Sequence, residues 1–427
     1  MKTNELKVLE NCKLLVIVTG SIAAVKTPLL ISNLIKLGAE IRCVASPSAS
    51  NLVSPLSLGT LSRNRCYQEA DQWDPIEPRP LHIDLAEWAD LIVIAPLSAS
   101  TLSRWVNGLA EGLIPSLLLA SEKPVIAAPA MNTGMWSHQA VKRNWETLKS
   151  FPSVIALPPS EGLLACDRIG DGRMASPEII QLAIESSFIR LKSNHSLKKD
   201  WQGCKLLVTA GPTLEDIDSA RFLTNRSSGR MGVLMAQAAK LRGARVDFVH
   251  GPLQVSNNLL EGLNSYKIRS GEDMQRTLHQ LQPQADAVAM SAAISDLRQK
   301  EGKQERKVNK ASLIKSIENS FELVPDLLTE LIKNRPCNQV ILGFSALSGT
   351  DEEIKRIGAN KKSKKGCDML FANPIDRSNQ GFDSDKNSGW LLGPHERVIE
   401  LPLDSKLSIA HQLLDELIPL LKKDRKN

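Results

Sequence analysis

Two stretches of this chain open in the same way, and that repetition limits the folds open to it. Lys13–Thr19 (KLLVIVT) is a short apolar run rich in β-branched residues, followed by Gly20-Ser21. An apolar pattern of helical period then runs from Ala23 to Leu37, Gly38 stops it, and Ile41–Ala45 reads as a second strand. The order returns at Lys205–Thr209 (KLLVT), with the turn Ala210-Gly211-Pro212-Thr213, a helix over about Met231–Arg242, Gly243, and the strand Arg245–Val249. Strand–helix–strand units this short require parallel sheets with helices on both faces, an α/β doubly wound arrangement. Further strands are expected at Leu91–Ala95, Val125–Ala128, Val288–Met290, Val340–Phe344 and Met369–Ala372.

At 427 residues the chain is long enough for two or three domains, each with its own core. The polar connection Ile189–Gln202 lies between a helical stretch, Pro177–Leu191, and the second opening strand. It places a boundary near residue 195 and gives domains 1–190 and 191–427. Arg298–Lys310 (RQKEGKQERKVNK) is too charged for a core and reads as a solvated loop or a lid over an anionic ligand.

Composition narrows the function. The chain is 42% hydrophobic and 23% charged, with no apolar run of membrane-spanning length. Its start carries acidic residues rather than a signal pattern, so a cytoplasmic location is expected. Seven scattered cysteines, without C-x-x-C, fit reduced thiols better than a disulfide frame or a zinc site. The net charge of +6 gathers partly in Lys361, Lys362, Lys364 and Lys365, and aromatics are only 4%. An anionic small molecule suits that cluster; the stacking platforms of a single-strand nucleic-acid binder are not evident.

In such sheets ligands bind beyond the carboxyl ends of the strands. Gly20-Ser21 stands at one such end, and a helix start there suits a phosphate. Ser98, in the segment Ala95–Thr101, stands at another, where, taken by itself, ordinary N-capping is the favoured explanation. Ala128-Pro129-Ala130-Met131-Asn132, then Met135-Trp136, puts an amide and soft apolar groups at a ligand rim. Leu164-Ala165-Cys166, with Gly170-Asp171-Gly172-Arg173-Met174, reads as a flap. His82 alone reads as a structural histidine. In the second half, Arg221–Gly232 contains Asn-Arg-Ser-Ser-Gly-Arg-Met-Gly, an anion cradle at a helix start without P-loop spacing. Lys361 and Lys365, four apart, share a helix face and need solvent or an anion between them.

Taken together, the G-S-I-A-A turn, the P-A-M-N and M-W segments and the A-C…G-D-G-R-M flap resemble the flavin-dependent cysteine decarboxylases. More closely, residues 12 to 420 resemble the bifunctional phosphopantothenoylcysteine decarboxylase/phosphopantothenate–cysteine ligase family. The resemblance implies two Rossmann-like domains, the first a flavoprotein fold, using FMN, CTP and Mg2+. It implies catalytic roles for His82, Asn132, Cys166, Asn225 and Lys307. Gly20, Ser21, Ser46 and Ser98 fall on FMN-contacting loops. Asp296, Lys307, Pro325, Asp326, Leu327, Leu328, Phe344, Lys361 and Lys365 fall on nucleotide-binding positions, and Asn132, Met135, Arg221, Asn225 and Ala292 on substrate-binding ones. Trimers of the flavin domain and dimers of the ligase domain, with active sites between subunits, are implied as well. The chain departs from the family pattern at Asp167-Arg168, Asp171, Ser100, Asn309 and Leu347. The departures on the Cys166 flap leave a second reading open, a CTP-dependent ligase with a regulatory flavin-binding half of altered activity.

Overall fold

The computed structural model describes residues 7–76, 78–163, 169–193, 195–300, 302, 305, 307, 320–382 and 384–423. It divides into two compact units, Met1–Lys198 and Lys199–Asn427.

The strands of the first unit are β1 (Lys13–Val18), β2 (Glu40–Ala45), β3 (Cys66–Gln68), β4 (Leu91–Leu97), β5 (Val125–Pro129) and β6 (Val154–Ala156), with a separate hairpin of β7 (Ser160–Leu163) and β8 (Ile169–Arg173). The main sheet runs β3-β2-β1-β4-β5-β6 and every pair is parallel. β4 is buried along its whole length, and β1 is buried after Lys13. Both therefore read as unbroken apolar runs, as strands covered on both faces must. The order reverses between β1 and β4, so their carboxyl ends diverge and leave a crevice. The helix expected over residues 23–37 is two pieces. A 3-10 turn covers Ile22–Lys26, and the α-helix Thr27–Lys36 starts there because Pro28 has no N–H to donate and fits only a first turn.

The second unit contains β9 (Lys205–Ala210), β10 (Leu214–Asp216), β11 (Phe222–Thr224), β12 (Arg245–His250), β13 (Asn264–Lys267), β14 (Ala287–Met290), β15 (Leu297–Gln299), β16 (Phe321–Leu323), β17 (Val340–Leu347), β18 (Met369–Pro374), β19 (Lys386–Leu392) and β20 (Val398–Ser405). Its main sheet runs β13-β12-β9-β14-β17-β18-β19-β20. The first six strands are parallel and repeat the order of the first unit, again with a reversal, between β9 and β14. β19 and β20 extend it antiparallel, leaving β20 as an edge. Hairpin β15–β16 corrects the reading of Arg298–Lys310 as loop throughout. Leu297 pairs with Leu323, Arg298 bonds Glu322 at 2.8 Å and Gln299 is buried, so the charged stretch begins as a strand.

The polar connection ends in packing rather than in solvent. Trp201 is fully buried, and Asp200 holds the buried guanidinium of Arg242 at 2.6 Å. Asp415, on the closing helix Lys406–Lys423, grips the same guanidinium from the other side. Among the described residues no helix is long and apolar enough to cross a membrane.

Candidate active sites

Each unit carries a cavity at the point where its strand order reverses. In the first, a cavity of about 840 Å³ is bounded by the turns that leave β1, β2, β4 and β5. Gly20, Ser21, Ser46, Ser98, Asn132 and Met135, the expected ligand contacts, all line it. Gly20 is there for space, because a Cβ would stand 2.6 Å from that of Ser48. Ser46 and Ser98 are N-caps, accepting from Ala49 N at 3.2 Å and Thr101 N at 3.3 Å. Capping and a place on the ligand wall thus coincide in the same hydroxyls. Thr19, fully buried, sets the spacing of the crevice: its hydroxyl donates to Pro96 O and accepts from Ser98 N, both at 2.7 Å. Asn132 caps the short helix Thr133–Ser137, its Oδ1 accepting from Gly134 N at 2.8 Å.

Hairpin β7–β8 folds onto this rim. Met131 N donates to Gly172 O at 2.9 Å, and at Gly172 (φ +127°) a Cβ would come within 2.3 Å of Met131 O. That contact brings Arg173 and Met174 to the cavity. Cys166, expected on the flap, lies outside the described residues, as do Asp167 and Arg168. His82 is on the helix Leu81–Trp88 and is not among the residues lining the cavity; its Nδ1 is buried without a hydrogen-bond partner.

The residues present fit a flavin mononucleotide. Lys26, Arg104 and Arg173 supply positive charge for a phosphate, while Ile22, Val25, Met131 and Met174 supply apolar surface for a planar ring. Arg173 falls on the flap motif read from sequence; Lys26 and Arg104 were not singled out. Lys26 and Arg104 each stand about one and a half turns of chain beyond an expected ligand turn, which is the signal they offered.

The second cavity, about 410 Å³, mixes polar and apolar lining in nearly equal parts. Its cradle is Asn225–Gly232, leading into the helix Arg230–Leu241. Asn225 Nδ2 donates to Ile294 O at 2.8 Å, tying the cradle to the segment after β14. Gly229 takes the left-handed conformation (φ +73°), and a Cβ there would fall 3.1 Å from Gly211 N. Gly232 has no room either, with Ala210 Cβ and Ser291 Oγ each 2.6 Å from its would-be Cβ. Ala292, Asp296, Leu328, Phe344, Lys361 and Lys365 line the cavity as expected. Phe344 is half-buried and packs edge-on against Phe371, with ring centres 5.8 Å apart.

The lysine pair is handled asymmetrically. Lys365 Nζ lies 3.3 Å from Asp326, whereas Lys361 Nζ donates to the Ser345 hydroxyl at 3.2 Å. Burial pushes the Asp326 carboxyl up, but hydrogen bonds from Thr329 and the charge of Lys365 outweigh it and hold it below its usual value. Asp326 caps the helix Leu327–Lys333 and Leu327 is core; these two, Pro325 and Arg221 are not lining residues. Arg221 pairs with Asp218 at 3.4 Å, and Lys307 is exposed. Asn309 lies outside the described residues. Sequence reading placed Arg226 in the cradle but did not single out Ser345, Asn387 and Lys406, which line this cavity from three separate segments.

Among the described residues no group of three His, Cys, Asp or Glu side chains could hold a metal ion. Among the described residues, Asp296 is the one carboxylate lining the second cavity. That suits a magnesium ion delivered with a polyphosphate, because Mg2+ is commonly held by one or two carboxylates plus substrate phosphates.

Comparison with known proteins covers both halves. The flavoprotein family model matches residues 2–188, and the model of the DNA/pantothenate metabolism flavoprotein C-terminal domain matches residues 201–420. The chain is 35% identical over 416 residues to the coenzyme A biosynthesis bifunctional protein CoaBC of Bacillus subtilis, covering 97% of this chain and 98% of that one. With the same protein of Escherichia coli K12 it shares 31% over 423 residues, 97% of this chain and 98% of that one. A cysteine/cysteine sulfinic acid decarboxylase from an unknown prokaryotic organism is 32% identical over 371 residues, 87% of this chain and 100% of that one. Among solved structures, the C-terminal domain of a CoaBC protein covers 52% of this chain and 100% of its own at 31% identity, with a TM-score of 0.42. A PPC decarboxylase variant complexed with pantothenoylaminoethenethiol covers 43% and 98% at 34% identity, with a TM-score of 0.38. The family assignment rests on the sequence matches, which run through both units almost end to end: the chain belongs to the family of bifunctional coenzyme A biosynthesis proteins.

Proposed function

We propose that the chain carries out two consecutive steps of coenzyme A biosynthesis, ligation in residues 191–427 and decarboxylation in residues 1–190. The observation that carries this reading is that each sheet's crevice gathers the side chains its own chemistry needs. One combines hydroxyls, an amide, cations and soft apolar groups; the other is an anion cradle faced by lysines.

In ligation, the carboxylate of 4′-phosphopantothenate is a poor acyl donor until it takes CMP from CTP and releases pyrophosphate. Lys361, Lys365 and the cradle hold the triphosphate, with Asp296 placed to share an accompanying Mg2+. Lys307 offsets the charge that builds as pyrophosphate leaves. Asn225 holds the acyl-cytidylate, and the amine of cysteine displaces CMP to form the amide.

In decarboxylation, loss of CO2 leaves electrons that need a sink, and FMN, when bound, supplies it. Asn132 binds the departing carboxylate, with Met135 beside it on the rim. Cys166 returns the proton, since a thiol of ordinary pKa is protonated near neutral pH. His82 acts on the substrate from outside the cavity of its own chain. Its absence from that lining supports a site completed by a second copy, and hence a homo-oligomer acting on small molecules in the cytoplasm.

The test is to incubate the full chain with 4′-phosphopantothenate, cysteine, CTP and Mg2+ and follow products by mass spectrometry. The expected product is 4′-phosphopantetheine; Cys166→Ser should instead accumulate an oxidised, decarboxylated enethiol. Decarboxylation of free cysteine with no ligation product would overturn the reading in favour of a cysteine decarboxylase.

A further inference from the structure

Lys406 is the first residue of the helix Lys406–Lys423, yet only 3% of its surface is exposed and it lines the second cavity. Both facts oppose a cation. Burial strips an ammonium of water, and the amino end of a helix is already positive. The fold offsets this locally. Nζ donates to Gly381 O at 2.7 Å and reaches Phe382 O at 3.5 Å. The backbone N–H of Lys406 donates to Asp385 O at 2.9 Å.

The loop held in this way is part of the cavity wall, for Gly381 and Phe382 both line it. The cradle grips the same loop: Ser228 Oγ donates to Phe382 O at 3.3 Å, and Arg230 Nε lies 3.1 Å from Asp385. Two residues whose carbonyl oxygens are held in this way therefore stand on the wall of a cavity that also carries Lys361, Lys365 and the cradle. Carbonyl oxygens facing an anion repel it. An ammonium drawing both toward itself removes that repulsion and fixes the loop against the cradle.

We propose that Lys406 is a positioning residue of the nucleotide site, its buried ammonium turning the Gly381 and Phe382 carbonyls away from the triphosphate and locking their loop to the Ser228–Arg230 cradle. The proposal rests on the reading of this cavity as the CTP site and adds a residue to it.

The test measures binding of CTP and of CMP, with Mg2+, to the full chain by titration calorimetry well below the melting temperature. Lys406→Met keeps the length of the side chain but removes the charge and the donors. Losing hydrogen bonds to a charged group is expected to weaken CTP about tenfold or more. CMP, with less negative charge, should weaken clearly less. Lys406→Arg retains charge and donors and should stay within a few-fold of wild type; it also serves if Lys406→Met does not fold. Equal weakening of CTP and CMP, or unchanged CTP affinity in Lys406→Met, overturns the proposal; so does an Lys406→Arg protein as weak as Lys406→Met. A wild-type chain that binds no CTP overturns the nucleotide reading itself, and the proposal with it.

Discussion

Replacing Gly232 by alanine sets two effects of opposite sign against each other. Gly232 is inside the helix Arg230–Leu241, where alanine is the better helix former by about 1 kcal/mol. Packing opposes the gain. The new Cβ would lie 2.6 Å from Ala210 Cβ, 2.6 Å from Ser291 Oγ and 2.8 Å from Thr209 O. The serine hydroxyl can rotate, but the other two atoms belong to the buried central strand β9 and move only with the sheet. Reaching an ordinary 3.4 Å contact from 2.6 Å requires the helix to lift by 3.4 − 2.6, about 0.8 Å. Overpacking of this kind costs about 1–3 kcal/mol. Net of the helix gain this leaves up to about 2 kcal/mol, and at roughly 2–4 °C per kcal/mol for a unit of this size the transition should fall by up to about 8 °C. The cradle rides on that helix, and a misplacement near 1 Å can cost about 100-fold in rate. Calorimetry should show a lowered transition for the second unit beside an unchanged one for the first. CTP-dependent ligation should drop by one to two orders of magnitude. A Gly232→Ala protein that melts higher than wild type and ligates normally would refute the packing argument, since helix propensity would then have won.

Lys307→Gln should form little acyl-cytidylate, whereas Asn225→Asp, which puts a negative charge beside Ile294 O, should form it and fail to convert it; rapid quench with labelled phosphopantothenate separates the two, and arrest at one common step counts against the assignment. Arg242→Met removes the buried cation that Asp200 and Asp415 both hold and should cost about 3–5 kcal/mol of stability, read by urea unfolding of the second unit; a loss below 1 kcal/mol counts against it. Burial lowers the Lys240 amine from its usual 10.5 to about 8, with the Glu261 charge opposing. Between those values the unfolded chain binds the extra proton, so this lysine makes stability rise with pH. Lys240→Met should therefore raise the melting temperature at pH 7 and lose most of that advantage by pH 10; Gln237 still donates to Glu261 O. An equal gain at both pH values would show that charge is not the cause.

The sheet interiors were legible because strands buried on both faces leave no choice but continuous apolar residues, as β1, β4 and β9 show. Edge strands were not. β3 and β6 have three residues each and make too little contact to need a pattern. The turns at Gly20, Ser98 and Asn225 were legible because ligand turns follow such strands directly. Lys406 was not, because it meets Gly381 from 25 residues away and, as a lysine beginning a helix, looks like a solvated end. His82 shows the converse: its family position is plain in sequence, but its own chain does not bring it into the cavity.

The antiparallel margin of the second sheet bears on how the protein behaves when concentrated. Among the described residues no strand pairs with the outer side of β20, and Val398 and Leu403 are about half exposed along it. An open eight-residue strand of this kind invites a neighbouring chain to add on. Pro402 breaks the row of amide donors that such an addition needs, and Glu400 and Asp404 place like charges where two copies would meet edge to edge. One imino acid and two carboxylates thus discourage strand-by-strand aggregation, and Pro402→Thr would restore a donor at the one position where the template is interrupted.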